Sequence, residues 1–406
     1  MTSHAAPPRP PKGSITEDGR YSLDLTGPHS HTLVTKPGVG SLVIGPAAMG
    51  KKADLHVESD ERIDWSVFDP FATGAGSPWP RWLYYIGGDT GFFAWARERR
   101  IEVMMWSPVL PTDTAIDASE SRIGDLQIQL DQPGGRLHLT LPKTPTSSRN
   151  ELCVSGDLAR FSADGDIPFL LTLIPRTSAR RNAVPYLLPD MGVLHQVTHL
   201  ELNCEPMRQP ISLRCLQRFP NLKKLALRGS FSDLDVLANQ SALTKLQLRF
   251  MPDLDALPPL GALPHLDSFL AFNVEEAAGK HLRQQVKARA TVRPWEFVSI
   301  TQLRKPEWWA KEYGRPFSAW PARLAKQANQ AYDAALSALA QAQSLSDAEA
   351  ALTTFAARFN TLKGIETPER DDLGEAVCQL SQTSDAARLH VTEEMAQRWF
   401  DAVRDY

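Results

Sequence analysis

Val197-Thr198-His199-Leu200-Glu201-Leu202, Leu222-Lys223-Lys224-Leu225-Ala226-Leu227, Leu243-Thr244-Lys245-Leu246-Gln247-Leu248 and Leu266-Asp267-Ser268-Phe269-Leu270-Ala271 carry one apolar spacing. Each reads apolar-x-x-apolar-x-apolar. Their first positions, 197, 222, 243 and 266, are 25, 21 and 23 residues apart. Six positions before each stands a further apolar residue: Met191, Leu216, Leu237 and Leu260. A leucine also stands nine positions before the last three, at Leu213, Leu234 and Leu257. The terminal alternation puts apolar side chains on one face of a short strand and the intervening residues on the other. In a self-similar array of this period, each unit buries its apolar face against its neighbours.

The period and the L-x-x-L-x-L core resemble the leucine-rich repeat family from about Leu187 to Asn273. Leucine-rich repeats followed by helices also occur in bacterial proteins. The resemblance implies an α/β fold, namely a leucine-rich repeat solenoid with a β-rich N-terminal part and a C-terminal α-helical bundle. Its L-x-L stretches would be parallel strands lining a concave face. Asp233-Leu234-Asp235 and Asp253-Leu254-Asp255 would fall in convex return segments.

Five regions are expected along the chain. Residues 1–12 read as a disordered, Pro-rich leader, with no apolar run that could serve as a secretory signal. Residues 13–185 are β-rich. Alternating runs such as Leu126-Gln127-Ile128-Gln129-Leu130 and Leu137-His138-Leu139-Thr140-Leu141 are separated by Gly, Pro, Asp and Ser clusters. Asp131-Gln132-Pro133-Gly134-Gly135 reads as a hairpin connection between those two runs. Two arrangements of this half stay open: a separate antiparallel β domain, or degenerate solenoid turns stacked on the repeats. Thr90 to Arg100 reads as a helix with cations in its last turn. Residues 186–274 hold the repeats. Residues 275–320 form an aromatic-rich junction with a helix over Glu275 to Ala290, then Trp295, Phe297, Trp308, Trp309, Tyr313, Phe317 and Trp320. Residues 321–406 read as a helical bundle. Its helices are expected from Ala322 to Ser344, from a capping box at Ser346-Asp347-Ala348-Glu349 to about Leu362, from Thr367-Pro368 to about Leu380, and from Glu393 to Arg404.

The 406 residues carry 44 basic and 47 acidic side chains, a formal charge of −3 that gives no whole-chain argument for nucleic acid or acidic lipid. The longest apolar run, Ile167 to Ile174, is interrupted by Pro168 and Thr172 and is too short to span a bilayer. Cys153, Cys204, Cys215 and Cys378 are scattered, as suits reduced thiols in the cytoplasm.

The near-neutral total hides a segregation. The outward positions of the expected strands form three columns: His199, Lys224, Lys245, Ser268; Glu201, Ala226, Gln247, Leu270; and Asn203, Arg228, Arg249, Phe272. With Lys223 beside them, five cations fall on one face. The partner-binding set is therefore His199, Glu201, Lys223, Lys224, Arg228, Lys245, Gln247, Arg249 and Phe272. Such a face would steer a protein with an acidic surface.

The first functional expectation is non-enzymatic protein binding, as an inhibitor or immunity protein that masks a toxin or effector. A second is an effector enzyme with a ubiquitin-ligase-like helical domain, as in bacterial effectors that join leucine-rich repeats to a catalytic cysteine. Its one nucleophile candidate is Cys378, whose neighbours are apolar or polar. A third is nucleic-acid binding through the basic face, which ranks lower because no aromatic platform accompanies the basic columns except Phe272. No cofactor motif and no metal set is read; His195/His199 and His29/His31 lack further ligands. The oligomeric state stays open.

Overall fold

The computed structural model describes residues 13–36, 38–143, 150–178, 184–205, 207, 209–312, 314–317 and 320–405. The expected leader at 1–12 and Tyr313 lie outside them. The chain forms two compact units that divide between Leu303 and Arg304.

In the first unit an antiparallel pair, β1 (Arg20–Leu23) and β2 (His31–Val34), precedes β3 (Ser41–Gly45), β4 (Leu55–His56), β5 (Trp82–Gly87) and β6 (Ile101–Pro108). From there the chain alternates between two sheets. β7 (Thr114–Asp117), β9 (Leu137–Leu141) and β11 (Phe161–Gly165) form a parallel back sheet. β8 (Ile123–Leu130), β10 (Glu151–Gly156) and β12 (Leu170–Pro175) join the main sheet, as does β13 (His199–Asn203). The short β14 (Ile211–Ser212) and β16 (Phe231–Ser232) pair behind β15 (Lys224–Arg228) and β17 (Lys245–Met251). β18 (Ser268–Val274) and β19 (Phe297–Thr301) complete the main sheet.

That sheet has twelve strands in the order β19-β18-β17-β15-β13-β12-β10-β8-β6-β5-β3-β4, and every pairing in it is parallel. This overturns the expected fold. The four repeat segments do not make a leucine-rich repeat solenoid set beside a separate β-rich half. They are β13, β15, β17 and β18, interior strands of one parallel sheet that starts at Ser41 and ends at Thr301. The separate antiparallel domain is likewise corrected, since β3 to β12 run parallel to the rest. The α/β content is as expected.

Two layers enclose the core. One face of the main sheet supplies Leu126, Ile128, Leu152, Val154, Leu200, Leu202, Leu225, Leu227, Leu246 and Leu248, all buried. The returning chain supplies the other layer through the back strands and short 3-10 turns, among them Leu213–Arg218 and Leu234–Asn239. The leucines six and nine positions ahead of each segment serve here, with Leu213, Leu216, Leu234 and Leu237 buried. Each contributes about 2 kcal/mol by leaving water.

The stretch from Asp131 to Gly135 is not a hairpin. β8 and β9 belong to different sheets, so the Gly pair turns a corner between layers. A Cβ on Gly135 would lie 2.1 Å from the Thr112 carbonyl carbon of the preceding corner. Arg160 fixes the turn by donating to the carbonyls of Gln132 and Gly135.

The helix expected over Thr90 to Arg100 shrinks to α1 (Gly91–Trp95). Arg99 is buried at 4% exposure instead of facing water. It donates to the carbonyls of Phe68 (2.9 Å) and Trp79, approaches Asp69 at 3.7 Å and stacks on Trp95. Burial lowers its pKa to about 10, partly opposed by Asp69. The tight aromatic cluster of Trp65, Phe68, Phe92 and Trp95 ends the helix where the chain must turn into β6. Helix α2 (Glu276–Ala290) is capped by the Glu275 carboxylate, which accepts from Ala277 and Ala278.

The second unit contains α3 (Pro306–Glu312), α4 (Ala322–Gln341), α5 (Leu345–Ala357), α6 (Thr367–Ser381), α7 (Ser384–Arg388) and α8 (Glu393–Val403). Its own core gathers Phe317, Trp320, Tyr332, Leu352, Phe355, Phe359 and Phe400. The capping box of α5 is Ser344 with Asp347, two residues before the expected one, and that of α6 is Glu366 with Glu369. The expected junction at 275–320 therefore divides. Trp295 and Phe297 belong to the first unit, whereas Phe317 and Trp320 are core residues of the second.

Candidate functional site

On the opposite face of the main sheet the side chains alternate with the buried ones and remain partly exposed. Parallel pairing aligns them across strands. Lys224 pairs with His199 on one side and Lys245 on the other. Ala226 lies between Glu201 and Gln247, and Arg228 between Asn203 and Arg249. Ser268, Leu270 and Phe272 follow on β18, then Phe297, Ser299 and Thr301 on β19. Eight of the nine sequence-predicted residues thus share one registered face. The ninth, Lys223, stands one position before β15 and has the parity of the inward Leu225. It is exposed at the strand entrance, outside the columns.

The two arginines are held. Arg228 donates from Nε to Glu205 Oε1 at 2.8 Å, and its guanidinium lies 4.6 Å from the Phe250 ring. Arg249 donates from Nε and Nη2 to Gln247 Oε1 at 3.3 and 3.0 Å. Phe250 meets Phe272 edge-on at 5.7 Å. Phe250 and Asn273, at the ends of β17 and β18, both adopt left-handed backbone (φ 52° and 51°). For a phenylalanine this conformation costs about 1–2 kcal/mol. It breaks the alternation and leaves the Phe250 ring against Arg228. Lys224 and Lys245 make no ion pair among the described residues. His199 stacks on Phe169 at 4.5 Å, and its Nδ1 lies 2.9 Å from the Thr198 hydroxyl, so its ring also braces the sheet.

The basic columns end at a strip of the opposite sign. Asp125, Glu151, Cys153 and Glu201 occupy the same face of β8, β10 and β13. Burial raises the Asp125 pKa while the Gln127 amide, donating at 2.7 Å, pulls it down. Burial, then Asp125 and Glu201, push the Cys153 thiol up to about 12. At the far end Trp82 and Tyr84 are 38% and 36% exposed, beside Val43, Val103 and Met105. Sequence reading missed Asp125, Glu151, Trp82 and Tyr84. The same parity rule, applied to the runs at 82–87, 123–130 and 151–156, would have found them.

The acids of the return segments act locally. Asp233 accepts from Ser212 Oγ (2.5 Å), Ser232 Oγ (3.0 Å) and Arg214 Nε (3.0 Å), and the Ser212 bond leads in lowering its pKa. Asp253 caps the Asp255 amide at 2.9 Å.

The remaining sequence candidates scatter. Cys378 lies within α6, where the Gln382 amide donates to its Sγ at 3.2 Å. His195 bonds the Met191 amide and lies edge-on to Phe219, apart from the His199 stack. His29 lies 3.0 Å from Ser22 Oγ, whereas His31 reaches the His56 carbonyl at 2.7 Å. Among the described residues no group of three or more His, Cys, Asp or Glu could hold a metal, and no helix is long and apolar enough to cross a membrane.

No family model matches the chain, and neither a curated protein nor a solved structure shows significant similarity to it.

Proposed function

We propose that the chain is a protein-binding protein whose partly exposed sheet face captures an acidic surface of another protein and masks it, as an inhibitor or immunity protein does. The observation that carries this reading is the registered block of Lys224, Lys245, Arg228 and Arg249 bordered by the acidic strip of Asp125, Glu151 and Glu201. Side-by-side strips of opposite charge complement a folded partner that itself carries both signs. A nucleic-acid backbone offers one sign only and would be repelled by the acidic strip. Aromatic side chains at both ends, Trp82 with Tyr84 and Phe250 with Phe272, add the residue types that dominate binding hot spots. None of the four cysteines is joined in a disulfide among the described residues, which favours a reducing compartment such as the cytoplasm.

The test is a panel of immobilised acidic, neutral and basic peptides presented to the wild type and to a Lys224→Glu/Arg249→Glu variant. The wild type should retain the acidic peptides, and added salt should weaken retention. The double variant should lose them at least tenfold. Equal retention by both proteins would overturn the reading. Loss of a measurable activity in Cys378→Ser, with peptide capture unchanged by the charge reversals, would favour the enzyme alternative.

A further inference from the structure

We infer that Ala226 is the floor of a socket that accepts one carboxylate side chain of an acidic protein partner. The inference rests on the protein-binding reading and names the element of the partner that the face selects.

Ala226 is the smallest side chain in the basic block. Its in-register neighbours, Glu201 and Gln247, are long, and lie about 5 Å away across the sheet. Lys224 and Arg228 stand on the same strand and the same face, each about 7 Å from it. Lys245 and Arg249 occupy the diagonals. A side chain that stops at Cβ among these longer ones leaves a depression flanked by four basic residues, of which Arg228 is already paired with Glu205 at 2.8 Å.

Two rim groups are restrained before anything binds. Gln247 holds the Arg249 guanidinium through two donors, and Glu205 with the Phe250 ring holds that of Arg228. A guanidinium fixed in advance loses less conformational freedom when it takes up a carboxylate. Lys224 and Lys245, without ion pairs among the described residues, supply mobile charge on the other side. Glu201 completes the rim with a negative charge. The planar two-oxygen end of a carboxylate matches the donor fork of the restrained guanidinium groups, whereas a phosphodiester chain, charged at every unit along its length, would also meet the acidic strip beyond Glu201.

The socket separates from the overall charge because it can be filled without altering any charge. Ala226→Leu and Ala226→Gln occupy the depression at a partly exposed position, whereas Ala226→Gly leaves it open. Each protein is titrated calorimetrically with hexaglutamate, inorganic phosphate and a short single-stranded DNA, after circular dichroism has established folding. Hexaglutamate affinity should fall about tenfold in both filled variants, stay near wild type in Ala226→Gly, and be lost in Lys224→Glu/Arg249→Glu. Should Ala226→Leu fail to fold, Ala226→Gln carries the test. Wild-type affinity in the filled variants, with loss in the charge-reversed one, would overturn the socket and leave the charged-face reading standing. No hexaglutamate binding by the wild type would also overturn the socket, with the peptide panel then deciding the broader reading. Preference of the wild type for phosphate or DNA would overturn both.

Discussion

Single side chains divide here between those that hold the sheet together and those that face outward. Asp233 belongs to the first kind. It sits in left-handed backbone at the start of a return turn and ties Ser212, Ser232 and Arg214 to one carboxylate. Its folded pKa lies below the unfolded value of about 3.9. The stabilisation is therefore complete above the unfolded value and is lost as pH falls through the folded one. Asp233→Asn keeps a residue type that tolerates left-handed backbone but removes the charge. The variant should be less stable than wild type at pH 7, and the gap should narrow progressively below about pH 4. Urea melts at several pH values check this; a gap independent of pH would assign the stabilisation to something other than the carboxylate.

Elements here are set by strand parity and by the corners between layers, and the two are not equally legible in the sequence. In β15 and β17 the period of Leu225, Leu227, Leu246 and Leu248 marks both the strands and their outward columns, so the basic block is legible from residue order alone. β6, β8, β10 and β12 pair in the same way, but their starts at 101, 123, 151 and 170 follow no fixed repeat, because the connections between them differ in length. Their alternation is readable, while their membership of the same sheet is not. Parallel pairing is a long-range choice that local patterning does not encode. The Pro-Gly-Gly corner after β8 misleads for the same reason. A turn signature says that the chain turns, and the packing of Gly135 on Thr112 decides into which layer. Ala at position 135 would collide with backbone that cannot move aside. Gly135→Ala should cost about 3 kcal/mol, whereas Gly261→Ala, with open space around its Cβ, should stay within about 0.5 kcal/mol. Chemical denaturation of the two variants makes the comparison, and equal effects would place Gly135 outside a tight corner.

At the scale of the whole molecule, the two units have separate cores. Every residue of the proposed binding face lies before Leu303. The helical unit closes its own core through edge-on contacts of Phe317 with Trp320, Tyr332 with Phe355 and Phe355 with Phe359. Arg315, at 9% exposure, is satisfied within the same unit by Asp333 at 2.6 Å, Asn329 and the face of Tyr332. About 100 residues with a closed core are enough for independent folding. The fragment 304–406 should therefore unfold cooperatively on heating, with an enthalpy near 70 kcal/mol. The full chain should show a transition at a matching temperature beside that of the sheet unit. The fragment should also retain none of the acidic peptides that the full chain holds, because it lacks Lys224, Lys245, Arg228 and Arg249. A fragment that melts without cooperativity would mean that its core depends on the sheet unit. Peptide capture by the folded fragment would move the binding surface off the sheet altogether.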